Sequence, residues 1–429
     1  MHKNGALFSA LFISLVLLFP LAAQARRDDN FHQKYRLKKV MVLSRHNIRS
    51  PLSGNGSALA MVTPHQWFKW TSQPSELSLR GGILETMMGQ YFRKWLEDEE
   101  LIPENWLPGE GEARFYANSM QRTIATAQYF SGGMLPVANV RIEHKFAPSR
   151  MDPTFNPQLT YVSEPYRRQA LAQIESMGGG KGLRGIGEDL RDECAVLERV
   201  LDFETSELAE KEGLRHFRSD DLQINLNVNK EPGMTGSLKY ANQASDALIL
   251  QYYEESDPVK AAFGERLSFE EWEDVAEVKD VYGDVLFSAP LVAVNVAHPL
   301  LKLIDEELSL KERRFTFLCG HDSNVCSVLA ALEAEPYELP ESIEKKTPIG
   351  CKLVIEEWEN DRGDEFAALR LVYQTVEQLR GCEILSLNNP PGIYDIRLKG
   401  LELNEDGLYS LGDLRERFSE SIAAYDKLP

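Results

Sequence analysis

The sequence predicts an α/β fold whose sheet-forming core is interrupted by a mostly helical segment, and three observations carry that reading. First, three apolar runs end in Arg, His or Asp clusters: residues 40–43 before Arg45-His46, residues 114–117 before Arg122, and residues 313–319 before His321-Asp322. Each reads as a buried strand leaving into a loop or a helix. Second, from Met151 to about Asp280 the pattern turns helical and little looks like a paired strand. Third, strand patterns resume at residues 352–357 and 367–373. Ligands of open α/β sheets sit beyond the carboxyl ends of strands, so the three clusters are expected to meet at one sheet edge.

Taken in order, the chain begins with Lys3, an apolar run over residues 6–21 broken at Pro20, and the small-x-small sequence Ala23-Gln24-Ala25. This is the pattern of a cleaved export signal, residues 1–25. A membrane anchor is the alternative, but a spanning helix needs ~20 apolar residues and charges follow this run at once. The expected location is periplasmic or secreted, with no membrane contact after cleavage. Core elements follow: the strand at 40–43, a helix over 83–96 with Leu84, Met87, Met88, Tyr91 and Trp95 at helical spacing, and the strand at 114–117. Arg122 falls in the first turn of the next helix, where backbone N–H groups favour an anion.

The interrupting segment carries helical patterns at 169–176, 192–209 and 237–253 and a short strand at 222–228. Its Gly178-Gly179-Gly180-Lys181-Gly182 stretch lacks the Ser or Thr after Lys and the preceding strand of a phosphate loop, and reads as a flexible cap loop. The Asp152-Pro153 turn reads as structural, with a minor alternative in which Asp152 meets a sugar hydroxyl. A helix over 289–308 leads back to the strand at 313–319, and a helix at 325–332 follows Asp322. The domain division expected is core 26–150, cap 151–283 and core 284–429.

The chemistry lies in Arg45-His46-Asn47-Ile48-Arg49-Ser50-Pro51 and in Gly320-His321-Asp322. An imidazole nucleophile between fixed cations suits attack on an anionic phosphorus. A His-Asp pair at a strand end can supply a phosphate ligand and a proton donor side by side. A basic surface loop with one stray His is the bland alternative for the first segment alone.

These two segments resemble the histidine acid phosphatases, branch 2 of the histidine phosphatase superfamily, which includes bacterial periplasmic phytases and glucose-1-phosphatases. The likeness leans to the glucose-1-phosphatase group, whose nucleophile motif also carries Asn where most relatives have Gly. Further shared stretches are Tyr116-Ala117-Asn118-Ser119, the run from Met151 to Pro157, Leu250-Gln251-Tyr252-Tyr253-Glu254 and Thr347-Pro348-Ile349-Gly350. The resemblance implies a phosphoglycerate-mutase-like three-layer α/β core with an inserted helical cap. It implies His46 as a nucleophile that becomes phosphohistidine, Asp322 as proton donor, and Arg45, Arg49, Arg122 and His321 as phosphate ligands, with no metal and no cofactor. Asn47 is expected to tolerate a left-handed backbone and to project its amide toward the site, trimming the substrate range.

The expected substrate is a phosphorylated small molecule, glucose 1-phosphate foremost. Phytate, a broad acid phosphatase range, a mutase or a catalytically silent binding module are the competing readings. The net charge of −19 argues against nucleic acid as a partner, and the chain is expected to be a monomer or homodimer. The remaining histidines, His32, His65, His144, His216 and His298, have no partners at ligand spacing. Five cysteines leave at least one unpaired and their pairing open.

Overall fold

Strand β1, Tyr35–Arg45, alternates between buried and exposed at its start and is buried continuously from Lys39 on. That change marks passage into a sheet covered on both faces. The strands are β1, β2 (Ala113–Ala117), β3 (Gln223–Asn225), β4 (Gly233–Thr235), β5 (Phe315–Gly320), β6 (Lys352–Asn360), β7 (Glu365–Tyr373), β8 (Gly392–Asp395) and β9 (Tyr409–Ser410). They belong to a computed structural model that describes residues 27, 29–52 and 58–429; the export signal expected at 1–25 lies outside them.

The main sheet has the order β2-β5-β1-β6-β7-β8, with β9 also on β7. Strands β1 and β2 both run parallel to β5, while β6 and β7 are antiparallel to their neighbours. The register sets Arg45 against Gly320, and Cys319 against both Ser44 and Ala117. The carboxyl ends of β1, β5 and β2 therefore stop within one residue of each other. Lys352 opens β6 opposite Ser44, which brings the loop before it to the same edge. The three strand exits meet as the sequence predicts.

Alternate residues of β1 enter different layers. Val40 and Val42 pack with Phe115, Phe317, Phe92 and Phe130, under the helices Leu79–Asp98 and Gln121–Met134. Met41 and Leu43 pack with Leu300, Val328 and Leu414 of the helices Pro290–Ser309, Asp322–Ala331 and Leu411–Ala424. This is a three-layer α/β arrangement. A third cluster, with Leu197, Leu248, Trp272 and Val275, is built by the helices Arg191–Leu201, Ser237–Glu254 and Phe269–Phe287, and it reaches the exit of β1 at Ile48.

Several elements differ from expectation for identifiable reasons. The helix expected at 192–209 breaks where Asp202 takes a positive φ of 51°, giving Arg191–Leu201, a 3-10 turn and Glu207–Glu212. The helix Phe269–Phe287 escaped the sequence pattern because buried Lys279 and Asp280 interrupt its apolar face. It starts at a Ser268/Glu271 capping box and runs through position 283. The glycine-rich stretch is a packed turn rather than a flexible loop: a Cβ on Gly178 or Gly185 would strike the opposite backbone, and Lys181 pairs with Glu188. All five cysteines are free thiols.

The helices Leu79–Asp98 and Gln121–Met134 touch backbone to backbone, since a Cβ on Gly89 would meet the Phe130 carbonyl and one on Gly133 the Thr86 carbonyl. Gly→Ala in an open helix gains roughly 0.8–1 kcal/mol. Here overpacking dominates, and Gly89→Ala should instead destabilise by about 1–3 kcal/mol. Urea denaturation checks this, and a stabilised variant would mean that the helices separate without cost.

Candidate active site

His46 directly follows β1, and its backbone N–H donates to the Gly320 carbonyl at 3.0 Å, so the sheet ladder itself fixes its position. Its Nδ1 lies 2.9 Å from the Asn47 carbonyl oxygen. A carbonyl can only accept, so Nδ1 carries the proton and Nε2 keeps its lone pair. Burial, followed by the charges of Arg122, His321, Arg49 and Arg45, holds this imidazole well below its usual range. It is a neutral base beside cations.

His321 stands opposite, with ring centroids 5.5 Å apart. Asn118 Oδ1 accepts the Asp152 N–H at 2.9 Å, which turns its Nδ2 toward His321 Nε2 at 2.7 Å. His321 Nε2 therefore accepts and Nδ1 carries the proton. That N–H and the Arg122 guanidinium, 3.5 Å away, are two donors converging on one place. Asn324 fixes the backbone of His321 through its Oδ1 at 2.9 Å and anchors its own amide on the Phe155 carbonyl at 2.8 Å.

Arg122 lies in the first turn of the helix Gln121–Met134, and Arg49 follows the β1 exit. Burial and then Arg49 lower the Arg122 guanidinium to about 10. Arg49 is held by Asp246 of the helix Ser237–Glu254 at 3.0 Å. Arg45 lies deeper, 1% exposed, bonded to Glu344 Oε1 at 2.6 Å and to the Thr347 carbonyl. The Nε atoms of Arg45, Arg49 and Arg122 are buried with no hydrogen-bond partner among the described residues. Arg122, Arg49 and Arg45 all act on His46 through their charge, and such a set suits an anion.

Asp322 is the first residue of the helix Asp322–Ala331, with Oδ2 3.6 Å from Arg45 and 3.4 Å from Lys279. Burial alone would raise this carboxyl, but Arg45, Lys279, His46 and His321 hold it well below the usual carboxylate range. Lys279 also meets Glu344 at 3.1 Å. Sequence reasoning missed both Lys279 and Glu344; neither sits in a motif, and each acquires meaning only as a counter-charge to a residue distant in the chain.

His46, Arg49, Arg122, His321 and Asp322 line a pocket of about 370 Å³, as do Lys279, Glu231, Asp280 and Asp284. That size suits a small ligand. Burial raises Glu231 and Asp284 and lifts Asp280 to about 7. The site thus has a cationic floor, and residues 231–284 line its wall with Glu231, Asp246, Asp280 and Asp284 beside Lys239 and Lys279.

One expectation is corrected. Asn47 does not reach the pocket and does not adopt a positive φ: its Nδ2 donates to Glu85 at 2.8 Å and its Oδ1 accepts from the Ile48 N–H at 2.8 Å, which turns the amide inward. Arg45 lies beneath the pocket wall, with Nη2 3.6 Å from Asp322 Oδ2. Asp152 is fully buried, bonded to Tyr116 Oη and, at 2.9 Å, to the Thr154 N–H, so it is structural. Neither the other histidines nor Lys181 line the pocket.

The chain is 35% identical over 418 residues to the glucose-1-phosphatase of Providencia rettgeri, covering 96% of this chain and 98% of that one. It is 28% identical over 424 residues to the phytase AppA of Escherichia coli (strain K12), covering 95% and 96%. The fold superposes on the apo phytase of Hafnia alvei with a TM-score of 0.83 at 24% identity, covering 92% of this chain and 99% of that one. The family model of the histidine phosphatase superfamily (branch 2) matches residues 36–374, and the chain belongs to that family.

Proposed function

We propose that this histidine phosphatase is an exported phosphomonoesterase that hydrolyses glucose 1-phosphate through a phosphohistidine at His46. The observation that carries the reading is the neutral His46 on the pocket wall, with Nδ1 bonded to the Asn47 carbonyl and the charges of Arg122, Arg49 and Arg45 acting on it. Arg49, Arg122 and the His321 Nδ1–H bind the phosphoryl oxygens from the pocket wall, and Arg45 adds its charge from below. His46 Nε2 attacks phosphorus, the P–O bond to the sugar breaks, and Asp322 delivers its proton to the leaving oxygen. Water then attacks the phosphohistidine and gives a proton back to Asp322, which releases phosphate and restores both groups.

Asp322 must be protonated for the first step, yet it is held ionised by Arg45 and Lys279. A phosphate dianion settling among those cations reverses the field and raises the carboxyl. Binding and proton uptake are therefore linked. The signal pattern at residues 1–25 supports export.

Glucose 1-phosphate is favoured over phytate because Glu231, Asp280 and Asp284 offer carboxyl oxygens to sugar hydroxyls on the pocket wall. The glucose-1-phosphatase relative supports the same choice, and the phytase relative defines the runner-up. Phosphate release from glucose 1-phosphate, phytate and an aryl phosphate at mildly acid pH separates them. Preference for phytate would overturn the substrate while keeping the chemistry.

His46→Ala should abolish phosphate release and acid-labile labelling of the protein by radioactive substrate; activity that survives sinks the nucleophile. Asp322→Ala should cost on the order of 10²–10⁴-fold on glucose 1-phosphate, and far less on an aryl phosphate, whose leaving group needs no proton. Equal losses would remove Asp322 as the acid. Sulfate, a dianion that does not titrate in this range, should bind near pH 5 with uptake of about one proton, read by calorimetry in two buffers of different ionisation heat. Loss of that uptake in Asp322→Asn assigns it; uptake that persists belongs to His46 or His321.

A further inference from the structure

Behind the nucleophile lies a buried charged group that the reaction scheme does not use. Glu85 and Lys352 are both fully buried, and Lys352 Nζ sits 3.0 and 3.1 Å from the two Glu85 oxygens. The remaining Lys352 donors go to Ser44 Oγ at 3.1 Å and to the Gly350 carbonyl at 2.9 Å, with the rings of Phe130 and Phe317 within 6 Å. Glu85 also accepts from Asn47 Nδ2 at 2.8 Å. A buried ion pair is commonly no more stabilising than an apolar pair of the same volume, so stability does not account for this one.

Its partners do. Ser44 and Asn47 flank Arg45-His46, and Gly350, held at its carbonyl by Lys352, donates its N–H to the His46 carbonyl at 3.2 Å. Asn47 is clamped at Nδ2 by Glu85, at Oδ1 by Ile48 N–H and at its own N–H by Thr126 Oγ1 at 3.2 Å. The carbonyl of this clamped residue is the one that accepts the His46 Nδ1 proton. Gly350, at φ +69°, has no room for a Cβ because the Asn47 amide occupies that place.

We propose that Asn47, Glu85 and Lys352 form a positioning network that sets the tautomer and aim of His46, and that Asn47 serves the nucleophile and not substrate selection. The inference rests on His46 being the nucleophile. Rotation of the Asn47 peptide would free the Nδ1 proton to migrate to Nε2, the atom that must attack.

The test compares wild type, Asn47→Gly and the apolar double variant Glu85→Leu/Lys352→Met, each checked for folding by circular dichroism and melting temperature. Rapid-quench measurement of phosphoenzyme formation and steady-state kinetics use glucose 1-phosphate and an aryl phosphate. We expect phosphoenzyme formation and kcat to fall by roughly 10- to 100-fold, as for a small misplacement of a reacting group, with equal factors on both substrates and little change in KM. A folded variant with wild-type phosphorylation rate overturns the proposal, as does loss confined to one substrate, which would restore a selective role for Asn47. If the double variant does not fold, Asn47→Gly, which leaves the ion pair intact, decides alone. Wild type that forms no phosphohistidine would instead overturn the nucleophile assignment on which the inference stands.

Discussion

The cationic floor of the pocket rests on three buried positive charges, Arg45, Lys279 and Arg49, each met by a carboxylate brought from elsewhere in the chain. Arg45 is compensated by Glu344, which sits in the loop ahead of β6 and accepts the Ile349 N–H at 2.9 Å as well. Lys279 reaches the same carboxylate from a helix more than sixty residues earlier. Arg49 is met by Asp246, and Asp322 closes the set between Arg45 and Lys279. An unpaired buried charge would cost several kcal/mol. The balance holds together β1 and its exit, the loop before β6 and three helices, and the pocket is a by-product of that balance.

The sheet register performs the complementary task. Parallel pairing of β1 and β2 with β5 brings His46, Arg122 and His321 to one edge from three regions of the chain. Nothing in the individual segments sets their mutual distance; the ladder does. The helices on each face then lock the strands by alternate burial, so the exit angles of the three loops are inherited from the core.

Much of this architecture is legible in the residues themselves. Apolar runs with polar exits mark β1, β2 and β5, because a strand covered on both faces leaves a nearly continuous apolar signature. The Arg-His and His-Asp motifs supply most of the cationic floor. The helix Phe269–Phe287 is hidden, since the buried pair Lys279 and Asp280 breaks its periodicity for the sake of the site. Lys279 and Glu344 cannot be read from spacing, as their meaning lies in contacts over long separations. Asn47 misleads for a different cause. Its position in the nucleophile motif suggests the pocket, whereas the alternation of side chains around the exit of β1 turns it toward Glu85.

Asp246 is bonded to Arg49 Nη2, so one arm of that guanidinium is already opposed by a resident carboxylate. In the proposed reaction an anion reaching Arg49 shares the guanidinium with that carboxylate and meets a softened charge. On the same proposal the carboxylate eases the departure of inorganic phosphate, and a pocket with several cations is kept from becoming a trap for its own product.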